Sequence, residues 1–169
     1  MKSRTPEIEK VITVTTRTPR KSEIDGVDYY FYSKDIFSKK RENGEFVEYN
    51  EYDNNYYATL YSEIERYSSS TPLFLIVDTH GMMSIMRKYP LSTSVFLAPP
   101  SMEELERRIR DRGDNTPEEI RRRIDKANRE IQHSDWYDCI VKNTNIEECV
   151  DQVKRILRKK LCENRIIIK

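Results

Sequence analysis

From residue 60 onward, short apolar runs alternate with longer charged stretches of helical spacing, and this alternation constrains the possible fold more than any other feature. Leu60–Tyr67 reads as a short helix and Leu73–Val77 as a strand ending at Asp78. Met82–Lys88 is helical, and Thr93–Ala98 is a strand closed by Pro99 and Pro100. Ser101 followed by Glu104 forms a capping-box pattern ahead of a long charged helix. Gly113–Thr116 interrupts that helix, and Pro117 opens the next one at its first helical position. Tyr137–Val141 is again strand-like, Ile146–Leu161 is an amphipathic helix, and the tail from Arg165 to Lys169 is a third apolar run. Strands separated by helices pair in parallel, so the expected class is α/β, a three-layer parallel sheet with helices on both faces.

The first 59 residues follow another rhythm. The opening ten are polar, and Val11–Val14 is the first strand-like run. A loop of hydroxyls and cations follows, Thr15-Thr16-Arg17-Thr18-Pro19-Arg20. Residues 25–59 are rich in tyrosine and phenylalanine, with small antiparallel strands expected at Asp28–Tyr32 and Phe46–Tyr52 and a turn at Asn54-Asn55.

Composition removes several function classes. The 30 basic and 29 acidic residues nearly cancel, which argues against a general nucleic-acid binder. The three cysteines (Cys139, Cys149 and Cys162) lack CxxC spacing, and an odd count suits a reducing compartment. His80 and His133 lie far apart, which leaves no zinc-ligand pattern. No apolar run approaches the about 18 residues that span a bilayer, and no signal-type segment opens the chain. The expectation is a soluble, cytoplasmic protein without nucleic-acid or membrane partners.

The side chains point to a small phosphorylated ligand. Arg17 and Arg20 sit three apart in a loop after a strand, beside Thr13, Thr15 and Thr16. Guanidinium groups are the preferred bidentate partners of phosphate oxygens, and hydroxyls complete the shell. Exposed turns also collect Thr and Arg, so the cluster alone does not decide. Tyr29 and Tyr57 offer hydroxyls to a phosphate or a ribose, and a carboxylate at Glu48 can accept two donors at once, as the N1–H and N2–H₂ edge of guanine requires. The competing reading of the tyrosines is an aromatic core under a hairpin sheet, preferred for Tyr30 and Phe31. Arginines 107, 108, 110 and 112, then 121 to 123, flank a Gly-Asp-Asn-Thr break. Such runs are usually solvated helix faces, but a hinged cationic lid is what phosphoryl transfer needs.

In order and spacing these words resemble the guanylate kinases. The resemblance rests on Thr15–Arg20, Glu23 with Asp25–Phe31, Gly44–Glu48, Asn55–Thr59, Asp78–Gly81, Pro99–Leu105, Arg112-Gly113 and Asn143, and it runs over roughly residues 11–160. It implies the P-loop nucleoside-monophosphate-kinase fold: a core of residues 1–24 and 60–169 with a lid near 108–124, a small mixed β insertion at 25–59 for the monophosphate, and one compact unit overall. It implies that Arg17, Arg20, Tyr29 and Tyr57 hold the GMP phosphate, and that Thr13, Glu48, Thr59 and Asp78 read the guanine. Arg108, Arg112 and Arg123 then serve the transferring phosphates, and Asn143 lies near the donor adenine. The implied reaction takes ATP with Mg²⁺ and GMP to ADP and GDP.

The chain also departs from the family pattern. A strand and a G-x-x-x-x-G-K-[ST] loop precede the Thr-Thr-Arg word in family members, cradling the donor phosphates. Residues 1–10 contain no glycine, so the isolated chain is expected to turn over poorly or not at all unless another segment or chain supplies that loop. Ile76 stands where an acidic residue near the metal is usual, which puts Mg²⁺ handling in question. Ala58 replaces a glycine and is expected to crowd the base, and His80 replaces a glutamine. The alternative function is a non-catalytic module that binds a phosphorylated peptide or protein, and a homodimer or protein partner is expected beside GMP. Such a module has no use for a base reader, and Glu48, Thr59 and Asp78 together favour nucleotide recognition. With the leading strand unaccounted for, Arg165–Lys169 is the segment expected to fill the vacated position in the middle of the parallel sheet, beside Val11–Val14 and Leu73–Val77.

Overall fold

The computed structural model describes residues 8–67, 71–111, 116–162 and 166–168. Its contacts divide into two units, one running to Ser92 and joined by the C-terminal strand, the other from Thr93 onward.

In the first unit β1 (Glu9–Lys10) is followed by β2 (Val14–Thr15) and β3 (Tyr30–Phe31), then α1 (Lys34–Glu42). Next come β4 (Phe46–Tyr52), β5 (Asn55–Leu60), α2 (Tyr61–Glu65), β6 (Leu73–Phe74) and α3 (Thr79–Lys88). Strands β3, β2, β5 and β4 form a mixed sheet in that order. The β4–β5 hairpin turns at Asp53-Asn54, both left-handed with φ of 55° and 60°, and Tyr52 faces Asn55 across it. Asp and Asn tolerate that conformation best among residues with a side chain, so the turn lies one residue earlier than expected and Asn55 begins the return strand. The expected antiparallel strand at Asp28–Tyr32 is corrected too: β3 runs parallel to β2, with Val14 facing Tyr30.

A bulge makes this sheet serve two cores. Phe46 faces Leu60 but Glu48 faces Thr59, so Val47 is an extra residue on β4. Phe46 packs with Val14, Phe37, Ala58 and Leu60, while Val47 turns to Val11, Leu75 and Ile85 under α3. Ala58 therefore faces the aromatic core, which corrects the expected crowding of the base. Helix α1 was not anticipated. Ser33 caps it by accepting a hydrogen bond from the Ile36 amide, and Phe37, fully buried, is its only buried residue.

The second unit opens within β7 (Ser92–Ala98) and continues with α4 (Met102–Asp111), α5 (Pro117–Gln132), β8 (Cys139–Lys142) and α6 (Ile146–Cys162). β7 and β8 pair in parallel, Val95 against Cys139, as the strand–helix alternation requires. Ser101 accepts from the Glu104 amide at the head of α4, and a full capping box of Thr116 and Glu119 starts α5 with Pro117 inside it. The last strand, β9 (Ile166–Ile168), returns to the first unit and lies against β6, which belongs to one of the two runs beside which the tail was expected. Arg165 and Lys169 lie outside the described residues. No helix of the described residues is long and apolar enough to cross a membrane.

Candidate functional site

One face of the mixed sheet carries the polar residues singled out in the sequence. Strand alternation sends Val14, Ala58 and Leu60 into the core and leaves Thr15, Tyr57 and Thr59 on the opposite face. Thr15 faces Tyr57, so Thr13, the residue before β2, falls level with Thr59 if the register is carried on. On β4, Glu48 faces Thr59 and Asn50 faces Tyr57.

At one end of this face lies a buried carboxylate. Glu48 is 8% exposed, and its Oε1 accepts a 2.6 Å hydrogen bond from the Thr59 hydroxyl. Burial is the main reason its carboxyl is pushed up to about 7; the Thr59 bond opposes the rise and the Asp78 charge adds to it. Lys88, which donates to the Val47 carbonyl at 2.7 Å, pulls the other way. Asp78 caps α3: its Oδ1 accepts from the Gly81 amide at 3.0 Å and its Oδ2 from the Asn50 side-chain amide at 2.5 Å. Gly81 is a glycine of necessity. A Cβ there would lie 2.8 Å from the Val77 Cβ and 3.0 Å from Glu48 Oε2.

At the other end lies a cationic cluster. Arg17 is held by Glu23 at 2.8 Å and by the Thr18 carbonyl at 2.7 Å, and it sits 5.8 Å over the Tyr29 ring. The second carboxylate oxygen of Glu23 accepts from the Arg20 amide at 2.7 Å, and the Arg20 guanidinium approaches the first at 3.7 Å. Burial works against the Arg17 charge, but hydrogen bonds with Glu23 and Tyr57 outweigh it and hold its pKa above the ordinary value. The Arg17 bond in turn is the chief cause that lowers the Glu23 carboxyl. Tyr29 packs edge-on to both Tyr57 and Phe31, and burial raises its hydroxyl pKa, which keeps it a donor. Phe31 therefore belongs to the site face, while Tyr30 packs against the core as preferred.

The eight residues expected to meet GMP thus fall in one unit and on one sheet face with its flanking loop and helix cap. The others lie in the second unit. Arg108 of α4 donates to Glu104 at 2.8 Å and to the Asn143 carbonyl at 3.3 Å, so the expected lid arginine and the expected adenine neighbour meet. Glu104, bonded to Arg107 and Arg108, is lowered to about 2. Arg123 is half-buried on α5, and Arg112 lies outside the described residues. Ile76 is exposed, as is His80.

The guanylate kinase family profile matches residues 2–160. The chain belongs to the guanylate kinase family. Among this family's members it is similar to the guanylate kinase of Mycoplasma mobile, 39% identical over 158 residues that cover 89% of this chain and 79% of that protein. The guanylate kinase of Synechococcus sp. (strain CC9311) is 35% identical over 156 residues, with 92% and 82% covered. The crystal structure of guanylate kinase from Anaplasma phagocytophilum superposes with a TM-score of 0.78 at 34% identity, covering 90% of this chain and 76% of that one. The fold is the α/β fold of guanylate kinases, as expected from the strand–helix alternation. Two residues of this face carried no assignment from the sequence: Glu23, whose signal was its place three residues after Arg20, and Asn50, whose signal was its i+2 spacing from Glu48.

Proposed function

We propose that the first unit binds GMP as phosphoryl acceptor, in the lineage that converts ATP and GMP to ADP and GDP. The observation that carries this reading is a single sheet face with opposite chemistry at its ends. A dehydrated carboxylate with a hydroxyl partner, Glu48 with Thr59, suits the donor edge of guanine. Two residues along β5, roughly 7 Å, Tyr57 with Arg17, Arg20 and Tyr29 suits a phosphate dianion. Glu23 fixes the arginines before the ligand arrives, so little side-chain entropy remains to be lost on binding. Thr13 and Asp78 complete the base end in this proposal.

The chemistry asked of these residues is placement, because phosphoryl transfer depends mainly on alignment and charge stabilisation. Arg17 and Arg20 orient the acceptor phosphate, and Glu48 fixes its rotation through the base. Arg108, Arg112 and Arg123 are assigned to the transferring phosphates and Asn143 to the donor adenine. ATP brings Mg²⁺ in such reactions. The side chains that follow β6 do not fit it: Ile76 is alkyl and offers no ligand atom, and among the described residues no three His, Cys, Asp or Glu side chains stand together, so no step runs through the metal. The 169 residues contain no G-x-x-x-x-G-K-[ST] sequence. This polypeptide alone is therefore proposed to bind GMP without making appreciable GDP.

Titration calorimetry tests the reading. GMP binds more tightly than AMP, because adenine sets a ring acceptor against the Glu48 carboxylate and leaves both unpaired. Equal affinities would overturn it. In a coupled assay with ATP and GMP, turnover on the order of 10 s⁻¹ would overturn the inactivity of the isolated polypeptide.

A further inference from the structure

We propose that Asn50 is a specificity-determining positioning residue, which locks the Asp78 carboxylate at the base end of the site. The inference rests on the GMP reading and deepens it. Asn50 stands on β4 two residues after Glu48, on the same face, and its backbone pairs with Tyr57. Its amide nitrogen donates to Asp78 Oδ2 at 2.5 Å, across 28 positions of sequence, from a half-buried site. The opposite amide orientation would set oxygen against carboxylate, so the donor sense of this bond is dictated by charge.

Two of its bonds tie the Asp78 carboxylate to different elements. The Gly81 amide holds Oδ1 and ties the carboxylate to the first turn of α3. Asn50 ties Oδ2 to β4 and so restrains rotation of the carboxylate from a second element. The carboxylate is thereby held between helix and strand, close enough to Glu48 for the two charges to oppose each other. Left unbonded, Asp78 would relax away from Glu48 and lose its register with a base donor. Asn50 also lowers the cost of keeping two carboxylates near one pocket, because it delivers a donor dipole to the outer one. A carboxylate with both oxygens already bonded accepts further donors only along its remaining lone pairs, whose directions Asn50 therefore sets.

The test compares GMP and AMP binding by calorimetry at pH 8, where Glu48 is ionised, with thermal melts for every variant. In Asn50→Ala the GMP affinity falls by about tenfold or more, in line with loss of a charge-assisted bond, while AMP affinity stays unchanged because the arginine end is intact. A second variant separates support of the fold from support of specificity. Exchanging the partners, Asn50→Asp with Asp78→Asn, restores a hydrogen bond of the same type and keeps a helix-capping side chain at position 78. Its melt stays near that of the unaltered chain, yet its preference for GMP is lost, because the carboxylate has moved to β4. A folded Asn50→Ala with the original GMP-to-AMP ratio overturns the proposal, and so does an equal loss for both nucleotides. If Asn50→Ala does not fold, Asn50→Leu, which keeps the side-chain volume without a donor, decides at the same pH: a retained GMP-to-AMP ratio overturns the proposal, and a lost ratio with AMP affinity unchanged supports it. An unaltered chain that binds GMP and AMP equally overturns the GMP reading itself, and this inference with it.

Discussion

At the scale of single residues, Glu48 sets stability against its proposed part in recognising guanine. Its folded pKa of about 7 lies above the ordinary 4.5, so between these pH values the folded chain binds a proton that the unfolded chain does not. Stability attributable to this group is full below about pH 4.5 and is lost as pH rises through 7. Glu48→Gln removes the buried charge, and denaturant unfolding at pH 8 should show the apo variant more stable by up to roughly 3 kcal/mol. The same change abolishes the preference for GMP. In the unaltered chain, the ratio of GMP to AMP affinity falls as pH drops from 8 to 6, because a proton on Glu48 turns an acceptor into a donor facing guanine's donors. AMP carries the same phosphate, so the ratio isolates the base. Glu23→Ala acts at the other end. Arg17 and Arg20 lose their holder, and GMP and AMP affinities fall together by about tenfold.

At the scale of elements, the first turn of α3 is packed against β4 as closely as glycine allows. Gly81→Ala places a methyl 2.8 Å from the Val77 Cβ and 3.0 Å from Glu48 Oε2. The helix must shift or the carboxylate must move, at a cost of roughly 1–3 kcal/mol in stability. GMP affinity falls more than AMP affinity, which calorimetry on the folded fraction can measure. Helix α1 depends on one side chain. Phe37 stacks between Phe46 and Tyr56, with centroids 4.7 and 4.9 Å away, and Phe37→Ala should cost about 3–5 kcal/mol in denaturant unfolding. The sequence hid this helix because Lys34–Glu42 is charged almost throughout and buries a single residue, too little for an apolar stripe. The β4–β5 hairpin was legible, but its register was not. The bulge at Val47 buries three consecutive residues, Phe46, Val47 and Glu48, and breaks the alternation on which a sequence reading relies.

At the scale of the whole molecule, the C-terminal strand belongs to the unit that carries the proposed GMP face rather than to the unit that precedes it in sequence. β9 lies beside β6, from whose end the chain runs on to Asp78 and α3. Truncation after Cys162 removes it. Denaturation of the truncated chain should then show a lower midpoint, and GMP affinity should weaken as the β6–α3 connection loosens. Unchanged melting and binding would show that β9 does not support this unit.

The sequence by itself determined the α/β class, because helical and strand periods alternate wherever an element buries a continuous face. It also named the side chains from which the proposed site is built, Arg17, Arg20, Glu48 and Asp78 with their hydroxyl neighbours, whose chemistry suits a phosphate and a guanine edge. Only the tertiary structure decided which of these act on one another. Glu48 is poised near neutrality because α3 and β5 exclude water from it, and burial is a property of packing rather than of any word in the chain. Asn50 reaches Asp78 across 28 residues, Ala58 turns inward because β5 pairs with β2 in one register, and β9 closes back on a strand laid down ninety residues earlier, roughly speaking. Each depends on long-range pairing, whose free energy is settled only when the partner segment is in place.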